Sequence, residues 1–547
     1  MKRRMIISAF SILVGWTLST SVATAAYFSC RMAGRGLFEI WSDPNPGDER
    51  VPAADAAPVL TAQHYRSDVL GEDSTLTQEG SESRQSLQGL ISSSCNGTQP
   101  GVVSLTANAS YSVSSTVTIP SNCTLRGNGA KITGTSSLTG DLISVTSAAN
   151  IHINGPLTLN SANAHPSGRL SHTIIFYNVK HSSVNDVSFT GSTQGELSLF
   201  GVSDLAARNL TFANASLAHG ASSPAMVIFN WVGGDPTQAS TDVNIDGVKC
   251  VGSPTTTPGC IYADGNYNRT GRPGQSNERI NVSNVSIEST TDDGVEYDHT
   301  SGTISGIQCG PGTITNQCVF LRQTSRVKVD NVSCLAGESF CVEVGRFGDD
   351  DAVDNISVSH VTGTGMFGTR DSAAVEVRNS TPTAAVTNVT VDGVVADRSS
   401  DSGVICYGPG STGSFLQHIA IRNVTSHHNK HDGIAVAFCQ DVTINNVQAF
   451  NNNQAGTSCS SPAPNAALRI AYSNTVVVQG IRAYDDQAKK TQCYGLAVDR
   501  GSKGVTVSDA EFRDDLHASA GVRNESADAY IVYRKTATAT VTIGSRR

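Results

Sequence analysis

One short pattern recurs so often that it decides what this chain can fold into. From about residue 140 onward, an apolar-x-apolar pair is followed three residues later by another apolar residue. Examples are Ile280, Val282 and Val285; Val327, Val329 and Val332; Ile356, Val358 and Val361; Val389, Val391 and Val394; Ile419, Ile421 and Val424; and Val442, Ile444 and Val447. Between these runs lies a second short strand opened by Gly, Ala or Cys, as at Gly294-Val295, Cys318-Val319, Cys341-Val342, Ala374-Val375, Gly403-Val404, Gly433-Ile434, Ala467-Leu468 and Gly495-Leu496. Successive openings are roughly 23–35 residues apart, the length of one coil of a parallel solenoid. Period-two alternation with regular turn residues and no helical periodicity predicts an all-β chain, a right-handed single-stranded parallel β-helix. A β-sandwich has no need to recreate one strand pair turn after turn. Each coil then buries its Val, Ile and Leu against coils ~4.8 Å above and below, so the core is one continuous apolar stack.

Charge and export signals narrow the function. With 38 Lys and Arg against 47 Asp and Glu, the net charge is −9 and charged residues make up 16% of the chain. No basic stripe exists to neutralise phosphates, so nucleic acid is excluded as a partner. Lys2, Arg3 and Arg4 precede an apolar run to about Leu18, and Ala23-Thr24-Ala25 offers a small-x-small cleavage site. Residues 1–25 therefore read as a signal peptide, with no membrane association after cleavage and an extracellular or periplasmic destination. Export permits disulfides, and Cys250 with Cys260, Cys309 with Cys318 and Cys334 with Cys341 have spacings that would staple turns. Thirteen cysteines leave at least one thiol over, with Cys30 and Cys406 the candidates.

Residues 26–80, rich in proline, read as an irregular lead-in to a β-helix domain over 81–540. Ser81 to Ser93 reads as a short helix with Leu87, Leu90 and Ile91 on one face, placed to cap the open end of the solenoid. The many Asn-x-Ser/Thr sequons, including Asn281, Asn331, Asn355, Asn388 and Asn423, are read mainly as structural. At the bend before the third apolar residue, Asn tolerates a left-handed backbone and bonds along the stack.

The stretch from Ser81 to Gly134, with Leu125-Arg126-Gly127-Asn128-Gly129, resembles the first coil of the pectin-lyase-like β-helix superfamily. Thr291 to Arg378 is similar in strand order to the central coils of polygalacturonase-type glycoside hydrolases. That family's Asn-Thr-Asp-Gly falls on Thr291-Asp292-Asp293-Gly294, which retains Asp293. Its Asp-Asp pair falls on Asn316-Gln317, its Gly-His-Gly on Glu338-Ser339-Phe340 and its Arg-Ile-Lys on Glu376-Val377-Arg378. The resemblance implies the scaffold and a polysaccharide substrate, while most of the family's catalytic residues are replaced.

Alternation along the second strands places Tyr262 and Asp264, Glu296 and Asp298, Phe320 and Arg322, Glu343, Glu376 and Arg378, and Ile405 and Tyr407 on the outer face. Ala435, Ala437 and Ala471 take the same columns further on and mark the expected end of the cluster. Glu296 and Asp298, about 6.5–7 Å apart on one strand, have the spacing an inverting glycosidase uses. Stacking of Asp264 on Asp298 should raise one of their pKa values. Asp298 is assigned as general acid, Glu296 or Asp293 as base, and His299 as a water or hydroxyl contact. Asp264, Arg322, Glu343, Arg346, Glu376, Arg378 and Tyr407 are assigned to substrate. A salt-bridged surface ladder is the plain alternative. Asp349-Asp350-Asp351 reads as a solvated turn before a calcium site, and His427, His428, His431 and Asp432 as a polar turn between coils before a metal cluster or polysaccharide contacts.

The expected activity is a secreted glycoside hydrolase, a monomer acting on an acidic, pectin-like polysaccharide and requiring no cofactor. The rival readings are a polysaccharide lyase or uronate epimerase, with calcium possible and Arg322, Tyr297 or His299 as base, and a non-catalytic glycan-binding or adhesin solenoid.

Overall fold

The computed structural model describes residues 86–513, apart from short internal stretches, together with 76–78, 522–524 and 530–533. The signal peptide, most of the lead-in, Cys30 and Asp349-Asp350-Asp351 lie outside the described residues. Within them the fold is the expected parallel β-helix. The chain alternates between two stacked sheets of 19 and 15 strands. Every pairing is parallel except that of Leu76–Gln78 with Ser110–Val113. A parallel connection within one sheet takes the right-handed sense because twisted strands pack back only that way.

The repeat explains the stack. Val282, Ile304, Val329, Val358, Val391, Ile421, Ile444, Val478 and Val507 are register partners from coil to coil. All are 0–1% exposed. The bend before the third apolar residue has a left-handed backbone at Asn284, Asn331 and Asn423. Asn355 and Asn388 are also left-handed, but one residue before the apolar pair, and Asn281 lies within its strand, with Nδ2 donating to Asn244 Oδ1 at 3.0 Å. Along the outer surface these asparagines bond to the next coil, as when Asn388 Nδ2 meets Asp354 Oδ1 at 2.7 Å and Asn423 Nδ2 meets Asp392 Oδ1 at 2.6 Å.

The helix α1, Leu87–Ser94, is capped by Ser86, whose hydroxyl accepts the Gly89 N–H at 2.9 Å. It buries Leu87 and Ile91 fully against the first coil, while Leu90 is only partly buried. The three expected disulfides are present, and Cys95–Cys123 and Cys459–Cys493 join them. Cys406 is a buried thiol, as expected, and Cys439 is another, with their sulfurs 3.0 Å apart. Among the described residues no helix is long and apolar enough to cross a membrane.

Candidate functional site

The 15-stranded sheet builds the site. Its strands Ile261–Asp264, Val295–Asp298, Gln317–Arg322, Phe340–Arg346, Ala373–Asn379 and Val404–Tyr407 pair in that order. Register makes one column of Tyr262, Glu296, Phe320, Glu343, Glu376 and Ile405, and a second of Asp264, Asp298, Arg322, Gly345, Arg378 and Tyr407. Both columns face away from the central apolar core, as alternation requires. Tyr297 points the other way, its hydroxyl donating to Ile280 O at 2.9 Å.

The expectation of an exposed wall is corrected. Asp298 is 0% exposed, Arg322, Glu343 and Glu376 1%, Asp264 4% and Glu296 7%. The group is therefore not an exposed ladder, although Asp298 and Arg322 do form one of the ion pairs such a ladder would contain. Arg378 is half-buried and Tyr407 is exposed. The side chain of Arg346 lies outside the described residues.

A single residue, His299, separates the strand Val295–Asp298 from the strand beginning at Thr300. Such a tight corner forces His299 into the left-handed region, at φ +46°. Its Nδ1 lies 2.6 Å from Asp298 Oδ1 and 3.8 Å from Asp264 Oδ1. Arg322 Nε is 3.7 Å from Asp298 Oδ2, and the Tyr262 hydroxyl donates to Asp264 Oδ2 at 3.2 Å. Asp264, Asp298 and His299 thus offer three donor atoms within 4.8 Å of one another.

Glu296 is a carboxyl whose proton affinity is raised by its surroundings. Burial pushes its carboxyl well above the usual range; Asp293 adds to this, and Asp298 and Asp292 add less, against the opposing charge of Arg322. Asp293 has a further task, since its Oδ1 accepts the Gln317 backbone N–H at 3.0 Å. Asp141 and Asp432 do the same for the backbone N–H groups of His172 and Ala466 one coil on. Retention of Asp293 is therefore explained at least in part by the corner it fastens. Gln317, not among the residues expected from sequence to form the site, also donates from Nε2 to Glu343 Oε2. It stands at the position before the strand opening, the same column as Asp293, and that register was the available signal.

The site does not end at the alanines. Ala435, Ala437 and Ala471 lie in a groove of about 400 Å³ that also touches Glu376 and Tyr407. Small side chains there leave room above the sheet. Phe438 and Tyr472 form its edge, stacked at 4.9 Å with planes 4° apart, and Tyr407 meets Phe438 edge-on at 5.6 Å. Arg469 is forked onto Asp499 Oδ2 at 3.0 and 2.8 Å. Burial raises the Asp432 carboxyl to about 7. His431 and Asp432 therefore belong to this groove.

Fold and site together define a parallel β-helix with a buried carboxylate cluster and, further along the same sheet, an aromatic-edged groove. No protein-family model matches the sequence and no curated protein is similar to it. Solved structures similar in fold include the mannuronan C-5 epimerase AlgE4 A-module of Azotobacter vinelandii, 12% identical over 82% of this chain and 94% of that one, TM-score 0.37. The tailspike protein of E. coli bacteriophage HK620 in complex with pentasaccharide is 12% identical over 92% and 81%, TM-score 0.47. The surface adhesin PfbA of Streptococcus pneumoniae is 12% identical over 86% and 93%, TM-score 0.35. At such identities the chemistry rests on this chain's own residues.

Proposed function

We propose that the protein is a glycoside hydrolase acting on a polysaccharide laid along the outer face of the 15-stranded sheet. The observation that carries this reading is the buried Glu296, whose carboxyl is pushed by burial well above the usual range, two residues along one strand from Asp298, which is ion-paired with His299 and Arg322. Glu296 protonates the leaving glycosidic oxygen, and Asp298 with His299 takes the proton from the attacking water. These roles exchange the acid and base expected from sequence, because burial and the neighbouring Asp293 push the Glu296 carboxyl well above the usual range. The spacing of about 6.5–7 Å between alternate strand positions leaves room for that water, which corresponds to inversion. Tyr407, Phe438 and Tyr472 supply faces on which sugar rings stack.

Carboxylates outnumber guanidinium groups along the columns, so a neutral sugar suits the cleavage point better than an acidic one; Arg378 is the place for an acidic unit. The lyase or epimerase reading loses Tyr297, which points into the core. Five disulfides favour an oxidising, extracytoplasmic compartment.

Wild-type, Glu296→Gln and Asp298→Asn proteins are compared on neutral and acidic polysaccharides by mass analysis of fragments. Fragments that gain water, lost in both variants, support the reading. Fragments with the mass of elimination products, or unchanged turnover in both variants, overturn it.

A further inference from the structure

We propose that Asp397, His427 and His428 form a binding site for a divalent transition-metal ion of the zinc class. The site lies at a corner between the two sheets, separate from the carboxylate cluster, where the sequence pattern alone predicts a polar turn.

Asp397 and His427 end successive strands, Val386–Asp397 and Leu416–His427, and are register partners. His428 follows in the left-handed region at φ +55°, which turns its ring back beside its neighbour. Three donor atoms converge. His427 Nδ1 is 3.1 Å from Asp397 Oδ1, His428 Nδ1 is 3.6 Å from the same oxygen, and the two nitrogens are 2.8 Å apart. Ligands bound at ~2.0–2.2 Å around one ion stand roughly 3–3.6 Å from each other; both oxygen–nitrogen separations match, and the two nitrogens, now at hydrogen-bond distance, would part by a few tenths of an ångström around an ion. Asp397 Oδ1 is shut off from solvent yet lacks a hydrogen bond of good geometry, although two imidazole nitrogens are close by. That arrangement fits three atoms aimed at a common centre.

The surroundings hold these atoms in place. The His427 ring stacks on Phe450 at 4.8 Å, and Phe450 stacks on Tyr484 at 4.8 Å. Arg398 Nη2 grips the other carboxylate oxygen at 2.9 Å. Asn429 Oδ1 accepts the Ser399 N–H at 2.9 Å, and Asn429 Nδ2 donates to Asn452 Oδ1 at 3.0 Å, which keeps successive corners in step. The two imidazoles are 22% and 40% exposed, so an ion and its remaining waters can enter. Two imidazoles and one carboxylate with open positions suit Zn²⁺, Co²⁺ or Ni²⁺; calcium prefers six to eight oxygens.

The test is titration of chelator-treated full-length protein with Co²⁺, followed by visible absorption, and with Zn²⁺, followed by calorimetry. His427→Phe keeps the stack on Phe450 while removing one donor, and Asp397→Asn removes the charge. An Asp264→Asn background separates binding here from binding at Asp264, Asp298 and His299. The expected result in that background is one ion per chain, with affinity falling at least tenfold in His427→Phe and in Asp397→Asn while both melt as native-like proteins. No saturable binding, or binding unchanged by His427→Phe, would leave a hydrogen-bonded histidine pair only and overturn the proposal.

Discussion

Glu296 shows how burial turns an ordinary side chain into a candidate acid. Its proton affinity in the folded chain exceeds that in the unfolded chain, whose ordinary value is 4.5. The stability it lends is therefore complete below about pH 4.5 and is lost as the pH rises through the raised folded value. Glu296→Gln, uncharged throughout, should match wild type near pH 4 and become the more stable protein toward neutrality. Calorimetric melts across that range check this, and parallel curves would show that the carboxyl is not held protonated. In catalysis the same variant should lose about 10²–10⁴ in kcat, measured by product release. Columns of outward side chains were legible from alternation alone. The burial of Asp298 and Arg322 was not, because burial depends on neighbours from other coils that no local pattern records.

Strands and corners translate those residues into a groove. Tyr407, Phe438 and Tyr472 come from three successive coils; Phe438 and Tyr472 stack because parallel pairing brings equivalent corners into register, and Tyr407, one position earlier on its strand, meets Phe438 edge-on. Tyr472→Ala, which removes an exposed stacking face, should raise KM several-fold with kcat nearly unchanged; a fall in kcat alone would assign the ring a different role. The disulfides at Cys250–Cys260, Cys309–Cys318 and Cys334–Cys341 join the end of one strand to the start of the next within single coils. Replacing Cys309 and Cys318 by Ala should cost roughly 2–3 kcal/mol on the chain-entropy estimate, read from denaturant unfolding. Both features grew from the repeat, yet the groove went unrecognised, since an alanine in sequence looks like an absence of function and in three dimensions it makes space.

Across the whole molecule, stability is a sum of neighbouring coils, so the end of the stack needs protection. Helix α1 provides it with Leu87 and Ile91, both fully buried. Ile91→Asp should expose the first coil and drive self-association, seen by light scattering, whereas a change at the partly buried Leu90 should be milder. The sequence by itself determined the coil, the inward stack, the cap and three of the disulfides, because each follows from periodicity or short spacing along the chain. Tertiary structure alone decided that burial raises the proton affinity of Glu296, that alanines floor a groove, and that Asp397 meets His427 and His428. Those outcomes depend on distances between residues brought close by stacking, and electrostatic energy and ligand geometry are set by such distances.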